Sequence, residues 1–146
     1  MPRHVALLLA ITISLVAATA VAAEINPQRA QFNYQMSCQG CHAPDGSGAN
    51  AVPRMRDTVG MFLAIPEGRD YLVQVPGSAV SALDDAELAE VLNWIVQEFA
   101  GDSLTVPFEP YNAHEVGRLR QQPLNEVVQY RAQLIGRIAS ASNGEQ

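Results

Sequence analysis

Cys38-Gln39-Gly40-Cys41-His42-Ala43-Pro44-Asp45-Gly46-Ser47-Gly48 is the stretch that decides how the rest of this chain reads. Both cysteines of the 146 residues fall within its first four positions, and a histidine follows directly. Two cysteines placed at random would stand three apart in roughly one such sequence in 70, and the adjoining histidine lowers that by a further factor of about 50. Coincidence is a poor account of the pentapeptide. Two cysteines are also too few for a disulfide framework, so the thiols need a local role.

The surrounding composition narrows the class. Hydrophobic residues make up 48% of the chain and charged residues 16%, which argues against wholesale disorder and fits one small domain with an appendage. All nine basic residues are arginine, and fifteen acids set the net charge at −6. A nucleic-acid binder needs a basic face to displace counterions, so no nucleic-acid partner is expected.

Residues 1–23 read as a cleavable export signal. Arg3 and His4 precede an apolar run from Val5 to Val16, and Val21-Ala22-Ala23 offers small residues at the cleavage positions. The run is short for a bilayer span and lacks a basic cluster behind it, so membrane attachment requires that the signal stay uncleaved. Cleavage before Glu24 leaves eight arginines against fifteen acids, a charge of −7, in a bacterial periplasm.

The mature chain reads as all-α with long loops. Asn26-Pro27 starts a helix to about Met36. Residues 43–53 are loop, rich in Gly, Pro, Ser, Asn and Asp. Asp57 and Thr58 can cap a short helix through Leu63, and another spans Glu67 to Gln74, stopped by Pro76-Gly77. The clearest element is 85–99: Asp84 and Glu87 have capping-box spacing, and Leu88, Val91, Leu92, Ile95 and Phe99 form one apolar stripe. Asn112 and Glu115 repeat the cap before a helix to about Gln121, and Val127 to Ile138 forms a last amphipathic helix. Residues 24–101 make the domain. Residues 102–146 are a C-terminal helical extension, too short to bury much alone.

Cys38, Cys41 and His42 have the spacing of a c-type haem attachment site. Two thiols three residues apart at a helix end can reach the two vinyl groups of one porphyrin, and the adjacent imidazole reaches the iron. A structural disulfide, a thioredoxin-like pair and a zinc site are the rivals. The second lacks a βαβ pattern, and the third has only His114 and carboxylates to complete four ligands.

From these residues the chain resembles the class I c-type cytochromes, over roughly residues 27–100. The stretch from Cys38 to Gly48 is close to the family's CxxCH-x-x-D-G-x-G pattern. The resemblance implies a cytochrome c-like small helical domain around one covalent haem c, with His42 as proximal ligand. It implies that Pro53 accepts the imidazole N–H through its carbonyl, and that Ala30 and Tyr34 cross Val91 and Trp94 where the first and last helices meet. The distal side departs from the pattern. The loop Val75–Leu83, where the family places a ligating methionine, contains no Met, His, Lys or Cys. The sixth position is then either open to water or filled by Met61, with Met55 and His114 as lesser candidates.

The function so implied is one-electron transfer between redox proteins, such as a dehydrogenase donor and an oxidase or second cytochrome as acceptor, without enzymatic turnover. A five-coordinate haem that binds a small gas or reacts with peroxide is the second reading. It needs a distal acid–base group, for which Arg54, Arg56 and Arg69 are candidates. A haem subunit of a larger oxidoreductase, docked through residues 102–146, is the third.

Overall fold

A computed structural model describes residues 25–144, and the expected signal peptide lies outside them. The fold is all-α. Helices α1 (Pro27–Ser37), α2 (Gln39–His42), α3 (Pro66–Gln74), α4 (Pro76–Ala79), α5 (Asp85–Phe99), α6 (Ala113–Leu119) and α7 (Val127–Gly144) are joined by loops, with a 3₁₀ helix at Val59–Ala64. Among the described residues no helix is long and apolar enough to cross a membrane.

The caps form where side chains supply the missing acceptors. Asn26 takes the N–H of Arg29, and Asp84 and Glu87 complete a reciprocal capping box at α5. Asn112 accepts from the N–H of Glu115 to start α6. Two expectations differ from what is found. Neither Asp57 nor Thr58 caps the next helix, which is 3₁₀ and not α. Asp57 sits in the left-handed region at φ 54° and its carboxylate is taken by Arg54, 2.7 Å away. Pro76 does not simply stop α3 either. It opens α4, because proline at the first helical position loses no hydrogen bond.

Helix α5 is buried well beyond its one apolar stripe, since α1 packs on one side and α6 on another. Ala30 and Tyr34 of α1 meet Val91 and Trp94 there, and Tyr34, Trp94 and Phe99 form a triangle with ring centroids 5.1–5.5 Å apart. Glu90 ties the crossing down. Its buried carboxylate accepts from the backbone N–H of Asn26 and from Nε and Nη2 of Arg29, at 2.7–2.8 Å. Those bonds, chiefly the Arg29 pair, hold the Glu90 carboxyl below the usual carboxylate range. The stabilisation is therefore complete above that range and is lost as pH falls through the lowered folded value. Arg29 is 58% exposed, so solvent screens the pair. Glu90→Gln should cost about 1–2 kcal/mol near neutral pH. The gap between the two thermal unfolding curves should narrow as pH falls below the usual carboxylate range.

The extension wraps the domain through specific polar anchors. The Asn93 side chain holds both backbone groups of Tyr111, donating to its carbonyl at 2.9 Å and accepting from its N–H at 2.7 Å. Arg69 of α3 forks onto Glu115 of α6 with its guanidinium 4.0 Å from the Tyr111 ring centroid. Arg120 donates to the carbonyls of Ala79, Ser81 and Leu83 and to Asp85, bracing the chain between α4 and α5. Leu134 and Ile138 of α7 complete a third apolar cluster with Phe62 and Tyr71.

Candidate haem site

Helix α1 ends at Cys38, whose N–H still bonds the Tyr34 carbonyl while its φ of −125° leaves the helical region. The single turn α2 follows, closed by bonds from the N–H groups of Cys41 and His42 to the Cys38 carbonyl. Break and turn together place both thiols and the imidazole on the wall of one cleft. Beyond His42 the chain reverses through Ala43 at φ 62°, whose carbonyl accepts the Tyr34 hydroxyl at 2.6 Å. Gly46 is required next. It has φ 72°, and a Cβ there would lie 3.0 Å from the Phe99 ring. Gly48, at φ 78°, is closer still, since its Cβ would meet the Val52 carbonyl oxygen at 2.5 Å. These two glycines let the loop fold back so that Pro53 returns beside His42.

The cleft has a volume of about 360 Å³ and is walled mainly by apolar side chains of α3 and α5 together with Val59 and Phe62 of the 3₁₀ helix. Pro76 and Gly77 of α4 border it, and Val127 and Arg131 of α7 also reach it. Burial lowers the His42 pKa, opposed by the neighbouring Pro53 carbonyl, so the ring is neutral at pH 7 as a metal ligand must be. Nδ1 of His42 is buried and has no partner that meets hydrogen-bond geometry. The Pro53 carbonyl is the backbone group near the ring.

Both thiols are free, so they form no disulfide. Burial, and then Cys41, push the Cys38 thiol up to about 11, the opposite of the acidic thiolate that a redox-exchange pair needs. Among the described residues no three His, Cys, Asp or Glu side chains converge on a metal position. A flat apolar macrocycle with two vinyl groups and an iron fits this donor set; a bare ion does not.

The matching sequences agree. The chain is 32% identical over 106 residues to "Cytochrome c-552" of Thermus thermophilus, covering 60% of this chain and 81% of that one. A second cytochrome c-552, from a named strain of the same organism, gives the same identity over 72% of its length. The chain belongs to the c-type cytochromes. No family model matches it.

Within this cytochrome the other sequence candidates scatter. Met55 lines the cleft, two residues after Pro53. Met61 does not; it packs against the cluster of Phe62, Tyr71, Leu134 and Ile138. A 3₁₀ helix turns about 120° per residue, so Val59 and Phe62, three apart, share the cleft face and Met61 points elsewhere. His114 is exposed on α6 and lines no part of the cleft. Arg69 is taken up by Glu115, and Arg56 lies over the Phe99 ring at 5.2 Å. Arg54 reaches the cleft, but its guanidinium is paired with Asp57. Arg131 and Tyr71 line the cleft and were not singled out in the sequence. Arg131 lies about 90 residues beyond the motif, on an extension with no local signal that it folds back there.

Proposed function

We propose that this protein is an exported class I cytochrome with a single haem c, carrying one electron at a time between redox proteins. The observation that carries this reading is the convergence of Cys38, Cys41 and His42 on one apolar cleft. Haem bound there supplies an iron that cycles between ferric and ferrous states. The chain's own residues do the rest. Cys38 and Cys41 would hold the porphyrin edge, His42 would ligate through Nε2, and the Pro53 carbonyl would accept from Nδ1 and fix the ring. Apolar walls from α3 and α5 keep water away, which favours the less charged oxidation state. Cys41, Pro76 and Gly77 line the cleft and are exposed, so an edge of the site reaches the surface where a partner can dock.

With −7 on the mature chain, a partner with basic residues around its own redox centre is favoured, as a dehydrogenase, an oxidase or another cytochrome could provide. The absence of a methionine from 75–83 supports a second reading, an open sixth position that takes a small gas. Docking as a subunit is less favoured, because α6 and α7 bury their apolar residues against the domain itself.

Acid–acetone extraction should leave the colour on the polypeptide, and the denatured mass should exceed the chain beginning at Glu24 by one haem. Extractable haem, or a colourless product despite the cytochrome c assembly machinery, would sink the proposal. Either Cys38→Ser or Cys41→Ser should leave at most one thioether. A mass that retains residues 1–23 would contradict export by cleavage alone.

A further inference from the structure

We infer that Arg131, delivered by the C-terminal helix α7, is a haem-binding residue whose guanidinium takes a propionate carboxylate at the mouth of the cleft. The inference rests on the reading that haem occupies the cleft. On haem the vinyl groups and the propionates lie on opposite porphyrin edges, so thiols that fix the first edge aim the second away from themselves. The cleft runs on into a shallower groove formed by residues 47–54, Thr58 and Arg131. Val52, Pro53, Arg54 and Arg131 line both spaces, while neither cysteine lines the groove. Arg131 therefore stands where the cleft opens away from its attachment end.

Its surroundings lack an anion. Arg29, Arg54, Arg69, Arg120 and Arg137 each pair with a carboxylate. Arg131 has none within 4.0 Å among the described residues, although it is half-buried with its guanidinium carbon 5.5 Å from the Phe62 ring centroid. It also lies close enough to the Tyr71 hydroxyl to oppose the upward shift that burial gives that group. The ring face steadies the guanidinium but leaves its in-plane donors unpaired, and planar carboxylates suit that fork best. Propionates are the carboxylates that the cofactor itself brings. The extension then serves as part of the haem site.

The test compares holoprotein forms of the wild type, Arg131→Gln, Arg131→Lys and Arg137→Gln, by redox titration and by the propionate bending mode in resonance Raman spectra. Removing a cation beside the haem favours the ferric form, so Arg131→Gln should lower the reduction potential and shift the propionate mode. Arg131→Lys should restore most of the potential, since the charge returns without the fork. Arg137→Gln, which breaks only the exposed pair with Glu67 farther along the same helix and away from the cleft lining, should change neither. An unchanged potential and mode in Arg131→Gln overturns the inference. So does a change confined to the carbon monoxide stretch of the ferrous complex, which would place the guanidinium over the iron. If Arg131→Gln does not accumulate with haem, Arg131→Lys against wild type decides it, and an unmoved propionate mode there counts against the assignment. A wild type without covalent haem would instead bring down the parent reading.

Discussion

A chain carrying both Cys38→Ser and Cys41→Ser, produced without haem, is expected to show no cooperative thermal transition and only a fraction of the native helicity. Side chains of α3, α5 and the 3₁₀ helix wall most of the cleft, so the contacts among those elements weaken when it stands empty. Emptying this cleft of about 360 Å³ leaves its apolar walls facing water, and each large apolar side chain so exposed forfeits about 1.5–3 kcal/mol. A few such losses match the whole stability of a small domain, about 5–15 kcal/mol. A ligand that binds the folded state alone therefore sets whether there is a folded state. Circular dichroism through a thermal ramp checks this. Native-like helicity with a sharp transition in the double variant would show that the polypeptide holds its cleft open unaided.

The second large effect concerns the distal side. Ferrous wild-type protein should bind carbon monoxide readily, and the ferric form should lack the weak red-edge band that marks sulfur bound to iron. Met61→Ala and Met55→Ala should leave both properties unchanged. Met61 would have to leave the cluster of Phe62, Tyr71, Leu134 and Ile138 and turn its 3₁₀ helix. Met55 lines the cleft only two residues after Pro53, whose carbonyl lies near His42. Without a sulfur ligand the reduction potential should fall below that of cytochromes with a Met–His pair. A red-edge band in the wild type that disappears in Met61→Ala would mean that the helix does turn, and one that disappears in Met55→Ala would move the ligand to that residue.

What could be read in the sequence was whatever depends on near neighbours. The pentapeptide, the caps at Asn26, Asp84 and Asn112, and the apolar stripe of α5 all act within a few residues of themselves, and each lies where its spacing places it. The α1–α5 crossing was legible through resemblance, because Ala30 and Tyr34 stand at fixed distances before Cys38. Thr58 and Pro76 misled for the same local reason. A cap is only as good as its backbone, and Asp57 had turned left-handed toward Arg54. The roles of Arg69, Arg120 and Arg131 were not legible at all. Each joins segments 35 or more residues apart or depends on which way a later helix folds back, and sequence periodicity carries no such distance.

The brace formed by Arg120 has a consequence for how the protein breathes. A stretch such as residues 79–85, which links the cleft-bordering helix α4 to α5, would ordinarily be among the first parts to open, with a free energy far below that of global unfolding. Here three of its carbonyls and Asp85 are held by one side chain at the end of α6. To open this link, the protein must give up those bonds together or draw α6 away from α5, where Val116 and Leu119 are buried. The link is thus as hard to open as the segment that stands, in sequence, as an appendage.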